Sequence, residues 1–174
     1  MQERLGAELD AVLGAGPRAR PPGWDDLSAL PFTRAVLDEA LRLYPPAWVI
    51  SRRAVADDVV LGVDVPAGTL ILLSPWLLHR REATWPDPQR FDPARFLDAD
   101  GRTPRSRPSG EYLPFGVGPR LCIGRDVALV EGVLVLAGLL RGRRVVAVRT
   151  GEPRVEALVT LRPHGGLPLR LAGR

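Results

Sequence analysis

Hydrophobic residues near the start of the chain recur at helical spacing in two blocks. The first block lies within residues 5–13 and predicts an amphipathic helix that begins at the second residue of the chain. A loop rich in Pro, Arg and Gly follows at residues 14–23. From Thr33 a second block predicts another helix, which Pro45 and Pro46 stop because proline cannot continue it.

Short β-branched or apolar runs come after the two prolines. They occupy residues 48–54, 59–61, 63–65 and 70–73, with Asp and Gly between them, and predict a small sheet. Regular spacing is then lost over residues 80–121. An irregular stretch of that length inside a globular chain is usually functional.

Periodicity returns in the last third of the chain. Residues 126–140 predict a strongly apolar helix, and residues 145–148 and 155–161 predict strands. A hairpin turn is predicted at His164-Gly165-Gly166. The fold class expected is therefore α+β, mainly helical with small β-sheets, in one domain over residues 1–174.

Composition places the chain among soluble globular proteins. It has 174 residues, of which 45% are hydrophobic and 25% charged, and all 24 basic residues are Arg. The net charge is only +4, and the arginines are interleaved along the chain with Asp and Glu. The guanidinium groups therefore suit carboxylate partners better than nucleic acid. The apolar run 132–140 is too short to cross a bilayer, and residues 1–13 do not have the pattern of a signal peptide. We expect a cytoplasmic protein.

The chain has a single cysteine, Cys122, in a Gly-rich segment directly before the last predicted helix. A helix N-terminus and the neighbouring Arg120 favour its thiolate, the form that binds metals. Gly118 and Gly124 would let the backbone approach a flat ligand. A small buried hydrophobic role is an equal alternative from these residues alone. A nucleophilic role would need a base, and neither histidine of the chain lies in a motif that suggests one.

A charged pair, Glu39 and Arg42, lies three residues apart on one face of the second helix. Asp38 and Arg42, four apart, could pair equally well. Such pairs are common on solvated helices and contribute little there, so spacing alone assigns this pair no function.

The spacing of five residues around the cysteine resembles the haem-binding signature of the cytochrome P-450 family. They are Phe115, Gly118, Arg120, Cys122 and Gly124. The resemblance implies that the Cys122 thiolate is the axial ligand of the iron of haem b. It also implies that Phe115 packs near the cysteine and the haem, that the glycines shape the loop, and that Arg120 pairs with a haem propionate.

Two further segments resemble the same family. Residues 39–46 are similar to its Glu-x-x-Arg helix and proline stop, and residues 91–96 are similar to its Pro-Glu-Arg-Phe region, with Ala94 in place of the usual acid. The resemblance implies a buried triad of Glu39, Arg42 and Arg95 that locks the loop behind the haem. The missing acid at Ala94 affects only a secondary contact.

A further arginine is implied in propionate binding by its place in the family pattern. We favour Arg52, although the adjacent Arg53 is a second candidate and a solvated charge at a strand end is a third interpretation. His79 also lies in a stretch that resembles the family, and we interpret it as structural. His164 needs no special role.

The matches cover essentially the whole chain, which resembles the C-terminal part of the P-450 fold. The fold is therefore expected to be incomplete, without the long helix over the distal haem face. The function implied is that of a haem-thiolate monooxygenase that uses O2 and a small organic substrate. The alternative is a non-catalytic or vestigial haem-binding fragment.

The electron donor expected is of the ferredoxin or flavodoxin type, with its reductase. Five arginines and one acid lie around the cysteine loop, and this excess of positive charge would steer an acidic donor. The arginines are Arg102, Arg105, Arg107, Arg120 and Arg125.

Overall fold

In the part of the chain that the structure describes there are four α-helices and three 3-10 helices. The helices Gln2–Leu13, Pro31–Leu43 and Arg125–Leu140 confirm the predicted ones, whereas no helix was predicted over Pro75–Leu78, Pro93–Phe96 or Gly118–Arg120. The computed structural model describes residues 1–16, 19–100, 110–148, 151 and 153–174. The α-helices are α1 (Gln2–Leu13), α2 (Pro31–Leu43), α3 (Pro75–Leu78) and α4 (Arg125–Leu140). The 3-10 helices are Trp24–Ala29, Pro93–Phe96 and Gly118–Arg120.

Among these described residues, eight short strands form four separate two-stranded antiparallel sheets. The strands are β1 (Ile50–Arg53), β2 (Asp58–Val60), β3 (Val63–Val65), β4 (Leu70–Leu73), β5 (Arg143–Ala147), β6 (Val155–Ala157), β7 (Leu161–Pro163) and β8 (Leu169–Gly173). The pairs are β1 with β4, β2 with β3, β5 with β8, and β6 with β7. Helices with small sheets confirm the predicted α+β class.

A turn is present at His164-Gly165-Gly166, where the Gly166 N–H donates to the Pro163 carbonyl at 3.3 Å, but the prediction that it closes a hairpin is wrong. Strand β7 pairs with β6, with Ala157 opposite Leu161, so the hairpin turns at residues 158–160. Residues 164–166 instead lead to β8, which pairs with β5. The alternating pattern continues through the true turn, where Val159 is 96% exposed, and for this reason periodicity did not show the break.

The main core lies between α1, α2 and α4. Its buried members include Leu9 and Leu13 of α1, Phe32 of α2 and Ala137 of α4. Helix α4 approaches α2 closely, because a Cβ placed on Gly132 would lie only 2.7 Å from a methyl carbon of Leu37. Each large buried side chain contributes about 1.5–3 kcal/mol.

Helix α2 begins with a cap from another helix. Its N-terminal flanking residue, Leu30, has no side-chain acceptor, so the first backbone N–H groups need partners elsewhere. The Glu8 carboxylate of α1 accepts from the Phe32 N–H at 2.7 Å and from the Thr33 N–H at 2.8 Å. It also accepts from the Thr33 hydroxyl at 2.7 Å. This contact fixes the start of the helix that carries Glu39 and Arg42.

We expect Glu8→Ala to lower the free energy of unfolding by about 1–3 kcal/mol, because two buried N–H groups lose their acceptor. Glu8→Gln keeps one acceptor oxygen and should cost less. The matched control is Glu3→Ala on the exposed face of α1, which should cost only a few tenths of a kcal/mol. Urea unfolding of the four proteins measures the effect, and equal midpoints for Glu8→Ala and Glu3→Ala would contradict the cap.

Candidate functional site

Arg42 uses all five N–H donors of its guanidinium inside the protein. It is fully buried, and it donates to both carboxylate oxygens of Glu39 at 2.6 and 2.8 Å. The remaining donors reach the backbone carbonyls of His79, Pro88 and Arg90 at 2.7, 2.9 and 3.2 Å. A planar fork with five donors suits this task, which a three-donor ammonium could not perform. Arg42 therefore ties α2 to two later segments.

Glu39 is likewise buried and accepts from more than one segment. Besides Arg42, its Oε1 accepts from the backbone N–H of Asp92 at 2.8 Å. The Arg95 Nε lies 3.5 Å from the same oxygen, as an ion pair and not as a hydrogen bond. The structure thus brings the three residues of the expected triad together around one carboxylate.

Arg95 is positioned by the 3-10 helix Pro93–Phe96. The Asp92 side chain caps this turn by accepting from the Ala94 N–H at 3.1 Å, and Pro93 occupies its first position. The Arg95 Nη2 donates to the carbonyl of Asp87 at 2.8 Å. Asp87 itself has a positive φ of 49°, a conformation that aspartate tolerates better than most residues.

Asp38 does not compete for Arg42. It pairs with Arg34 at 2.8 Å, and the Tyr112 hydroxyl lies 3.2 Å from its carboxylate. Burial raises the pKa of Asp38, and the Arg34 charge opposes that shift. The alternative pair of Asp38 with Arg42 is therefore not formed, and Asp38 pairs instead with Arg34, four residues earlier on α2.

Cys122 lies in a loop shaped by backbone hydrogen bonds and two left-handed glycines. The Gly116 N–H donates to the carbonyl of Leu113 at 3.2 Å, and the Cys122 N–H donates to the carbonyl of Phe115 at 3.0 Å. Gly116 has φ +77° and Gly118 has φ +71°, values that favour glycine. In the part of the chain that the structure describes, Cys122 is exposed, which does not favour the buried hydrophobic alternative.

Gly124 differs from the other loop glycines. Its φ is −84°, and a Cβ there would lie at an ordinary contact distance of 3.8 Å from the Cys122 sulfur. The packing of the chain itself therefore does not require glycine at this position. Its expected role toward a flat ligand stays a prediction.

The cysteine loop forms one wall of an open cavity of about 670 Å³. Strand β1, the segment after α2 and the hairpin turn at 158–160 complete it. The lining residues are Pro46, Ala47, Ile50, Ser51, Arg52, Arg53, Pro114, Phe115, Gly116, Arg120, Cys122 and Thr160. One thiol, three guanidinium groups and several apolar side chains thus surround the same space.

The donor set of this cavity fits an anionic, flat, metal-bearing ligand. An exposed thiol can bind a metal as its thiolate, the apolar wall suits an aromatic macrocycle, and Arg52, Arg53 and Arg120 suit carboxylates. Arg52 donates to the Ser51 carbonyl at 2.8 Å, and Arg53 donates to the Gly68 carbonyl at 2.8 Å. Both arginines line the cavity, so the choice between them stays open.

Other predicted charges fall outside this picture. Arg102, Arg105 and Arg107 lie outside the described residues. Within the described part of the chain, no cluster of three or more His, Cys, Asp or Glu could hold a metal ion. None of the helices in the same part is long and apolar enough to cross a bilayer.

Comparison with known proteins agrees with the site. The cytochrome P450 family model matches residues 1–166, so the chain belongs to the cytochrome P450 family. The cofactor of this family is haem.

Individual relatives support the assignment. A putative cytochrome P450 132 of Mycobacterium tuberculosis is 40% identical over 166 residues, covering 95% of this chain and 34% of the relative. A pentalenene oxygenase of Streptomyces avermitilis is 38% identical over 174 residues, covering 100% of this chain and 37% of that protein. The crystal structure of the cytochrome P450DA heme domain matches with a TM-score of 0.86 and 31% identity, covering 99% of this chain and 36% of that one. The chain spans about a third of the length of these relatives.

Sequence reasoning did not single out several residues of the cavity. Gly116 lies between the quoted motif positions, and its positive φ shows that the backbone there favours glycine. Thr160 reaches the cavity because the Leu161 N–H donates to the Pro46 carbonyl at 3.0 Å, which docks the hairpin against the segment after α2. The sequence Gly116-Val117-Gly118 could have indicated Gly116 as a turn residue, whereas no local sequence signal indicates Thr160.

Removing either Glu39 or Arg42 should leave the other buried charge without its partner. We expect Glu39→Ala to lower the free energy of unfolding by about 3–5 kcal/mol, with a fall in haem content. Arg42→Lys keeps the charge but has three donors for five acceptors, so it should also be destabilised. The control is Glu131→Ala on the exposed surface of α4. Normal unfolding midpoint and haem loading in Glu39→Ala would show that the pair is only a helix-surface contact.

Proposed function

We propose that this chain is the haem-anchoring part of a haem-thiolate monooxygenase, with Cys122 as the axial ligand of haem b. The observation that carries the proposal is the exposed Cys122 thiol in a cavity that also contains Arg52, Arg53 and Arg120. Haem bound there would supply the oxygen chemistry, in which one atom of O2 enters an organic substrate and the other leaves as water.

The residues of the chain would hold the cofactor from several sides. Arg120, and Arg52 or Arg53, would pair with the propionate carboxylates. Phe115 and Ile50 would cover part of the macrocycle face with apolar surface. These assignments rest on the shared cavity and on the family pattern.

The surroundings of Cys122 suit a negatively charged sulfur. Helix α4 begins at Arg125, three residues later, and its positive dipole end is directed toward the loop. The Cys122 N–H donates to the Phe115 carbonyl, with 3.0 Å between nitrogen and oxygen. This hydrogen bond fixes the backbone that carries the thiol. A fixed thiolate of this kind would hold the haem iron and would donate the electron density that favours oxygen chemistry there.

The substrate would be a small organic molecule that approaches past the segment after α2. Ala47 and Ile50 offer small and apolar side chains on this side of the cavity. We further propose a cytoplasmic location. An electron donor of the ferredoxin or flavodoxin type, with its reductase, would deliver two electrons.

A second candidate function is haem binding without turnover. It would require only the thiol and the arginines that line the cavity. The two functions share the Cys122 ligand and differ in whether product forms when O2 and an electron donor are supplied.

Replacing the thiol tests the proposal directly. The reduced, CO-treated protein should show the red-shifted Soret band of a thiolate-ligated haem, and Cys122→Ser should lose it because no other residue supplies a thiolate. Arg120→Gln should keep the thiolate-type band with lower haem affinity. Product analysis with O2 and a donor system then separates the monooxygenase from the non-catalytic binder. A thiolate-type band in Cys122→Ser would refute the ligand assignment.

The excess of arginine in the sequence around Cys122 predicts that reduction of the protein depends on salt concentration. We expect the rate of reduction by an acidic donor to fall as ionic strength rises, because screening weakens attraction to the arginines around the loop. Arg105→Glu with Arg107→Glu should slow reduction at low salt. Arg143→Glu with Arg144→Glu, on exposed positions of β5, is the control of equal charge change. Equal rates in the two double variants would contradict the proposed role of Arg105 and Arg107 in binding the donor.

A further inference from the structure

His79 is fully buried between helix α2 and the segment that leads into the cysteine loop. Its Nδ1 lies 3.0 Å from the carbonyl oxygen of Arg42, near the end of α2. Its Nε2 lies 2.8 Å from the backbone nitrogen of Leu113. The two ring nitrogens thus connect backbone groups 71 positions apart in the chain, at residues 42 and 113.

The partners define the protonation state of the ring. The Leu113 N–H can only donate, so Nε2 must accept, and the Arg42 carbonyl can only accept, so Nδ1 must carry the proton. The ring is therefore neutral, with its proton on Nδ1. A doubly protonated imidazole has no acceptor and would lose the bond to Leu113.

Leu113 passes this restraint on to the cysteine. Its carbonyl accepts from the Gly116 N–H at 3.2 Å, which closes the turn that contains Phe115. The carbonyl of Phe115 in turn accepts from the Cys122 N–H at 3.0 Å. Hydrogen bonds, joined by the covalent link between Phe115 and Gly116, therefore connect α2 through His79 to the residue that carries the thiol.

We propose that His79 is the positioning residue of the cysteine loop, and that its neutral imidazole holds Leu113 at a fixed place against α2. The inference rests on the proposed role of Cys122 as a haem ligand, which gives that position its functional meaning. His79 acts through Leu113 and is not a catalytic residue.

The electrostatic surroundings keep His79 neutral. Burial lowers its pKa to about 4, the bond to the Arg42 carbonyl opposes this shift, and the charges of Arg42 and Arg80 add to it. Tyr112, whose ring centroid lies 5.3 Å away, is the titratable neighbour on the loop side, and Asp38 lies behind it. Burial raises the Tyr112 pKa, which keeps that hydroxyl neutral.

The sign of the pH effect follows from this direction. The folded-state pKa of about 4 lies below the ordinary value of 6.5. The neutral ring therefore stabilises the folded chain fully above pH 6.5, and this contribution is lost as the pH falls to about 4. The loss should be concentrated in the segment that His79 holds.

Hydrogen exchange of the full, haem-free chain tests the proposal without any activity measurement. His79→Phe keeps the ring volume and removes both bonds, so residues 110–124 should exchange about tenfold faster while α1 and α2 keep their rates. His79→Gln has an amide donor and acceptor and should restore much of the protection. His164→Gln, at the only other histidine, is the control.

The pH series keeps the test decisive if His79→Phe fails to fold. The ratio of wild-type to His79→Gln exchange rates over residues 110–124 should rise as the pH falls from 6.5 to 4, because only the wild-type ring titrates. A flat ratio would overturn the proposal. Unchanged protection in a folded His79→Phe, or equal acceleration in α1, α2 and the loop, would also overturn it.

The haem proposal fails in a different measurement. If haem-loaded wild-type protein lacks the thiolate-type Soret band, Cys122 is not the ligand, whatever the exchange rates show. If the band is present in wild type and equally strong in His79→Phe at pH 7, the positioning role is wrong while the ligand assignment stands.

Discussion

The buried guanidinium of Arg42 is the constraint on which the rest of the site depends. A charge in this position is costly unless every donor has a partner, and all five donors have one. Three of those partners are the backbone carbonyls of His79, Pro88 and Arg90. The donors therefore have all their partners only when the backbone at residue 79 and at residues 88–90 adopts this one conformation. Because an unpaired buried donor is costly, Arg42 favours one backbone conformation in a region with little regular secondary structure.

Much of the local structure could be predicted because it is encoded in short-range patterns. The apolar spacing indicated α1, α2 and α4, and the proline pair indicated the end of α2, which the structure places at Leu43. The i,i+3 spacing put Glu39 and Arg42 on one face, and the structure joins them at 2.6 Å. Three ordered motifs together indicated the family, which the comparison with known proteins confirms.

The long-range contacts could not be predicted in the same way. The cap from Glu8 crosses 24 positions to Phe32, and the bond from His79 crosses 34 positions to Leu113. Their partners are backbone groups, which every residue has and which leave no mark on the sequence. The hairpin of β6 and β7 was missed for a related reason, since alternation shows that a strand exists and does not show which strand it pairs with.

The contact between Gly132 and Leu37 has a kinematic consequence for the thiol. The cysteine loop enters at Leu113, which is bonded through His79 to α2, and it leaves into α4, which packs on the same helix at Gly132. The residue at which the loop begins and the helix that follows the loop are thus both held against α2. A displacement of α2 would therefore move both ends of the segment that carries Cys122.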